Sequence, residues 1–162
     1  MYVLHQPQNY QKKWANFMIE LEQSLFKTVS LIEGNLNESL NKAYGISYTE
    51  FLILHKLYLD KESTIAEIQK DISYKMDSAS TKTKKLRAMG LVAKERRKDD
   101  ERKVATKLTD EGKALVEDIL NKYDNQLNKV SAKFTENDVR TLQLLIDRYR
   151  ENFHTNFEIN NS

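Results

Sequence analysis

The sequence predicts a mostly α-helical fold: six helices, with a single β-hairpin inserted between the fourth and the fifth. Three observations predict it. Apolar residues recur every three or four positions over most of the chain, the period of helices with one buried face. Residues 91–96 and 103–108 instead alternate apolar with charged and bracket a strongly polar run at 97–102, the pattern of a hairpin. One Pro and four Gly in 162 residues leave little material for long loops.

The length suits one domain spanning 1–162, and a hydrophobic content of 40% is ordinary for a globular protein. The absence of Cys excludes a disulfide framework, a thiolate zinc site and a thiol redox sensor. No apolar run approaches the length of a membrane span or a signal h-region, so no membrane partner and a cytoplasmic location are expected. Net charge is only +2, but its distribution is uneven. Residues 75–107 hold twelve Lys/Arg against five Asp/Glu, and the remainder is net acidic. A basic module on an acidic frame is the asymmetry of a protein with one face toward phosphates.

Residues 1–9 carry the single proline, Pro7, and read as an irregular lead-in. From Tyr10, the residues Trp14, Phe17, Leu21, Leu25, Val29, Ile32, Leu36 and Leu40 mark a long amphipathic helix ending at Gly45 as its C′ residue. Gly34 weakens that helix by about 1 kcal/mol relative to Ala and predicts a bend. Such a length exceeds what one small domain needs to cover itself, so part of the stripe is expected to pack on another subunit.

The second helix opens with two devices. Ser47 and Glu50 have capping-box spacing, and Ile46 with Phe51 has the spacing of a hydrophobic staple. This helix runs to about Leu59. Thr64 and Glu67 repeat the capping box for a short third helix, 65–72. Residues 73–76 form a turn, and a fourth helix runs from about Asp77 to Met89. Two short helices joined by a tight turn match a helix-turn-helix, and the hairpin after them makes it winged, with duplex DNA as the expected partner. Thr109 caps the fifth helix, whose stripe is Leu115, Ile119, Tyr123, Leu127 and Val130. A sixth opens at Thr135, with Phe134 and Val139 as a second staple, and carries Leu142, Leu145, Ile146, Tyr149 and Phe153.

The fourth helix offers Ser78, Ser80, Thr81, Lys82, Lys84, Lys85 and Arg87 on faces not needed for packing, with Lys75 just before it. Ala79, Leu86 and Met89 are expected to point inward, with Thr83 as a smaller filler. Short hydroxyl side chains near a helix N-terminus reach base edges, whereas lysines farther along suit phosphates. The competing reading, a solvated cationic helix, loses ground to the hairpin that follows. That hairpin carries Arg96, Arg97, Lys98 and Arg102 at or near its tip, and a cation there can enter the minor groove. Asp100 reads as the residue that orders the wing by holding an arginine through paired hydrogen bonds.

No catalytic constellation is present. His5, His55 and His154 lie far apart and lack the spacing of a metal site, and there is no nucleophile elbow or phosphate-cradling Gly-rich loop. No cofactor, metal or enzymatic activity is expected.

Gly90-Leu91-Val92, then Asp100-Glu101-Arg102, then Leu108-Thr109 with Gly112 resembles the wing signature of the MarR family of bacterial transcriptional regulators. Ile46-Ser47-Tyr48-Thr49-Glu50-Phe51 and Tyr74-Lys75 look more specifically like its staphylococcal SarA-like branch. The resemblance covers most of the chain. It implies a homodimer knit by helices in 10–45 and 110–157, with a winged helix-turn-helix in 46–109. It also implies that Arg102 is the wing arginine near the minor groove, that Asp100 is its partner, and that residues 77–87 face the major groove. One departure concerns the middle of the fourth helix: relatives often have an apolar residue there, but this chain has Thr81-Lys82-Thr83, which leaves the register of the base-reading face open. Trp14, Tyr48, Phe51 and Tyr58 are the candidate lining of a cleft where many MarR relatives bind small aromatic or phenolic effectors. The simpler reading is that aromatic residues at helical spacing pack in the core.

The expectation is therefore a sequence-specific regulator, a repressor in its simplest form, binding a pseudo-palindromic duplex as a homodimer. Two alternatives remain open at this point. One is an architectural protein coating A·T-rich duplex, which a Ser/Thr-rich helix poor in Arg would suit. The other is a helical adaptor whose basic face meets an acidic protein.

Overall fold

The computed structural model describes residues 8–72, 79–96 and 104–156. The chain packs as two compact units, Met1–Val116 and Glu117–Ser162.

In the first unit, α1 (Gln8–Tyr44) runs as one helix through Gly34. It stops at Gly45, whose φ of +69° needs a residue without Cβ strain and whose amide bonds to the Asn41 carbonyl at 2.9 Å. Leu40, near its end, is buried and Leu36 is half-buried, but Trp14, Phe17, Phe26 and Val29 stand exposed.

Helix α2 (Tyr48–Asp60) starts as its sequence requires. The Ser47 hydroxyl accepts the Glu50 amide at 3.2 Å and the Glu50 carboxylate accepts the Ser47 amide at 2.7 Å, so two orphan donors are satisfied reciprocally. Asn37 of α1 adds a third tie, its side-chain oxygen accepting the Tyr48 amide at 2.7 Å. Ile46 and Phe51, the predicted staple, are both buried. Ile53, Leu54 and Leu57 make α2 the centre of the core, joined by Ile68, Leu86, Ala105 and Val116 from other elements. Burying each large aliphatic side chain fully contributes roughly 1.5–3 kcal/mol.

Helix α3 (Ile65–Ile72) opens with the second capping box, Thr64 N–H to Glu67 at 2.7 Å and Glu67 N–H to Thr64 Oγ1 at 3.2 Å. Lys56 clamps α3 to α2 by pairing with Asp60 at 2.7 Å and with Asp71. Helix α4 (Ala79–Ala88) ends at Gly90, φ +75°, in a 6→1 and 5→2 arrangement. The Leu91 amide bonds to the Leu86 carbonyl and the Gly90 amide to the Arg87 carbonyl, each at 3.0 Å.

That ending corrects one expectation. Met89 does not point inward but is 40% exposed, because α4 stops at Ala88 and the chain reverses before Met89 can complete the inner stripe. The hairpin strands β2 (Val92–Arg96) and β3 (Val104–Leu108) pair antiparallel from Val92↔Leu108 to Arg96↔Val104, matching the sequence reading closely. A third strand, β1 (Glu62–Ser63), was not expected. It pairs with the other edge of β3, giving the order β1-β3-β2. Two polar residues carry no alternation to announce a strand, yet Ser63 is buried there.

Helix α5 (Asp110–Ser131) begins in the first unit and continues into the second. Along its stripe Ile119 is buried, Leu115 and Tyr123 are half-buried, and Leu127 and Val130 are exposed. Helix α6 (Glu136–Asn156) is capped by Thr135, whose hydroxyl accepts the Asp138 amide at 3.2 Å while Asp138 accepts the Thr135 amide at 2.8 Å. Val139, Leu142, Leu144, Leu145 and Phe153 on α6 are exposed. Among the described residues, no helix is long and apolar enough to cross a membrane.

Candidate nucleic-acid interface

Helix α4 settles its own register by burial. Ala79, Thr83 and Leu86, at i, i+4 and i+7, are all at most 3% exposed and form the inner seam. Ser80, Lys84 and Arg87 repeat the same spacing one residue on, and with Thr81 they are exposed. A helix that seats its thin side on the core and turns short hydroxyls and long cations to solvent presents both groups that reach base edges and groups that reach phosphates.

The N-terminus of α4 is held by a residue the sequence reading did not single out. Gln69 of α3 accepts the Ala79 amide through its side-chain oxygen at 3.1 Å, satisfying an orphan donor from the preceding helix. Nothing in the local pattern signals this bond, because it joins residues ten positions apart.

Lys82, half-buried, and Lys85, exposed, both reach to the start of α2. The Lys85 ammonium donates to Glu50 Oε2 at 2.9 Å and to the Gly45 carbonyl at 3.1 Å. Lys82 reaches the Ser47 hydroxyl at 3.5 Å. Glu50 is only 3% exposed. Burial alone would push its pKa up, but hydrogen bonds from Lys85 and the Ser47 amide, with the charges of Lys85 and Lys82, hold the carboxyl below its ordinary range.

On the hairpin, Arg96 is exposed in the last strand pair before the tip, and Glu95 pairs with Lys107 across the strands at 2.5 Å. Six expected site residues, Lys75, Ser78, Arg97, Lys98, Asp100 and Arg102, lie outside the described residues.

The candidate effector aromatics are differently placed. Phe51 is buried with its ring 5.9 Å from that of His55, Tyr48 and Tyr58 are half-buried, and Trp14 stands exposed with its ring 5.8 Å from Phe17. A cleft of 330 Å³ in the first unit includes none of them. Its lining is Lys56, Asp60, Glu62, Ser63, Glu67, Lys70 and Asp71. Among the described residues, no group of three or more His, Asp or Glu could hold a metal ion.

Comparison with known proteins bears directly on this arrangement. The family model described as transcriptional regulator SarA/Rot matches residues 35–119. The chain is 28% identical over 127 residues to the HTH-type transcriptional regulator Hpr of Bacillus mycoides, covering 72% of this chain and 68% of that one. Among solved structures it is similar to AbfR of Staphylococcus epidermidis, with a TM-score of 0.76 at 18% identity over 90% of this chain and 98% of the other. It is also similar to a mutant MarR from E. coli complexed with operator DNA, with a TM-score of 0.68 at 23% identity over 83% and 96%.

Proposed function

Because the chain belongs to the SarA/Rot family of transcriptional regulators, we propose that it regulates transcription as a homodimer reading a pseudo-palindromic promoter duplex, acting as a repressor in the cytoplasm. The observation that carries this reading is the outward face of α4, where Ser80, Thr81, Lys84 and Arg87 stand together above a fully buried inner seam. Ser80 and Thr81, near the helix start, read base edges in the major groove, and Lys84 and Arg87 hold phosphates. Arg96 faces the neighbouring backbone, and the wing signature gives Arg102 to the minor groove with Asp100 as its ordering partner.

The homodimer is supported by what each unit leaves uncovered. In the first, Trp14, Phe17, Val29 and Ile32, which share one face of α1 at helical spacing, are 45–59% exposed. In the second, Val139, Leu142, Ile146 and Phe153 share one face of α6 at helical spacing and are 40–53% exposed. Contiguous apolar faces of this kind mark interaction surfaces. Two-fold symmetry then places the two α4 helices in successive major grooves, about 34–36 Å apart.

The composition of the same face favours one rival reading. It offers hydroxyls and cations but neither Asn nor Gln, which suits a protein that coats A·T-rich duplex without strong preference. Fluorescence anisotropy against an A·T-rich promoter duplex and its scrambled counterpart, over a salt series, separates the two. A specific regulator gives a steep salt slope with a preference of about a thousandfold or more. A steep slope with no preference establishes the architectural protein, and no binding at low salt removes DNA as the partner.

A further inference from the structure

Helix α4 is short, and its inner seam is thin. Of the three buried residues, only Leu86 is large; Ala79 and Thr83 fill little volume. Apolar packing of that kind holds a helix against the core but constrains its rotation and tilt weakly, since small side chains interdigitate little. Directional bonds must supply the rest. One lies at the N-terminus, the Gln69–Ala79 bond. Another lies on one flank of the helix. Lys82 and Lys85, at i and i+3, point to the α2 start, whereas Ser80, Lys84 and Arg87 occupy the opposite flank.

We propose that Glu50 and Lys85 are positioning residues for DNA reading: their ion pair sets the angle at which α4 presents Ser80, Thr81, Lys84 and Arg87, and Lys85 is not itself a phosphate contact. This rests on the DNA-binding reading above. Glu50 is buried at the third position of α2 and its Oε2 accepts from both Ser47 and Lys85. A carboxylate so placed tolerates the loss of a cationic partner poorly, so the pair resists any rotation that would break it. Lys85 has two of its three donors engaged, on Glu50 and on the Gly45 carbonyl where α1 ends. The same cluster therefore fixes α4 to the α1–α2 corner, where the long first helix ends. A change in that corner reaches α4 through the Glu50–Lys85 pair, with Lys82 on Ser47 beside it.

The test separates the ion pair from the cap. Gln also serves at the third position of a capping box, so Glu50→Gln removes the charge and keeps the Ser47 cap. The probe is a duplex recovered from a random-sequence pool by the wild-type protein, with a scrambled duplex of the same composition as control. Affinity is measured over a salt series for wild type, Glu50→Gln, Lys85→Ala, Lys85→Arg and the double variant Glu50→Gln/Lys85→Ala.

Each single neutralisation is expected to weaken specific binding roughly tenfold, and the double variant no more than the worse single one, as coupled partners behave. The salt slope and the affinity for scrambled duplex should stay at wild-type values, and Lys85→Arg should restore most of the loss. The proposal is overturned if Lys85→Ala flattens the salt slope by about one and weakens both duplexes alike while Glu50→Gln binds normally, the behaviour of a phosphate contact. Amide exchange of the free proteins gives a second readout, since Glu50→Gln should lower protection across α4 and leave α2 unchanged. If the wild type recovers no duplex, the DNA reading fails on its own, and unchanged α4 exchange would separately dismiss the restraint.

Discussion

The hydroxyl of Thr109 donates to the carbonyl of Gly90 across 2.7 Å, so the residue that starts α5 also ties down the residue that ends α4. The same oxygen accepts the Gly112 amide at 3.0 Å, the ordinary duty of an N-cap. One side chain thus joins two helix ends on either side of the hairpin. Thr109→Ala should cost about 1–2 kcal/mol of stability, read as a lower urea midpoint with an unchanged slope, and Thr109→Ser should restore most of it. A midpoint that does not move would show that the bond to Gly90 contributes nothing.

Gly112 makes an unusual demand for a helical position. Replacing Gly by Ala inside a helix ordinarily gains about 1 kcal/mol. Here a Cβ would lie 2.0 Å from the Leu91 carbonyl oxygen, which is backbone and cannot swing away. The clash outweighs the propensity gain, so Gly112→Ala should destabilise by about 1–3 kcal/mol net. Thermal unfolding checks the sign, and a stabilised variant would refute the close approach.

Thr83 is 2% exposed and its hydroxyl has no hydrogen-bond partner among the described residues. A buried hydroxyl without a partner costs about 1–3 kcal/mol relative to an apolar group of the same shape. Thr83→Val should therefore raise the unfolding free energy by about 1 kcal/mol. It should leave DNA binding unchanged, because the residue faces inward. Destabilisation would mean that the hydroxyl is satisfied after all.

Glu50 makes stability pH-dependent in a definite direction. Burial opposes its ionisation, but the Lys85 and Ser47 hydrogen bonds and the nearby lysine charges prevail, and its pKa lies below the ordinary 4.5. A carboxyl depressed on folding adds stability that is fully present above its unfolded value and is lost as the pH falls through the folded one. Denaturation between about pH 5 and pH 2 should therefore lower wild-type stability more steeply than that of Glu50→Gln. Parallel curves would count against the pairing.

Most of the fold was legible from the residues, and for a common reason. Both capping boxes of α2 and α3, the Thr109 cap and the glycine that ends α1 act within three or four residues of chain. The hairpin register followed from period-two alternation on both strands. The candidate site was legible in part. Burial of Ala79 and Leu86 and exposure of Ser80, Thr81, Lys84 and Arg87 agree with the sequence reading, whereas Met89 does not, because a helix end is placed less sharply by periodicity than a helix middle.

By itself, then, the sequence determined the order and kind of the main elements, the basic character of the helix-and-hairpin segment, and the residues that cap α2, α3, α5 and α6. These are properties of local period, charge and turn chemistry. Only the tertiary structure decided that β1 adds to β3, that Gln69 caps α4, and that Lys85 pairs with Glu50. The last joins side chains 35 residues apart in sequence. A two-residue strand has no period to detect, and a long lysine stem reaches its partner only after two helices have packed.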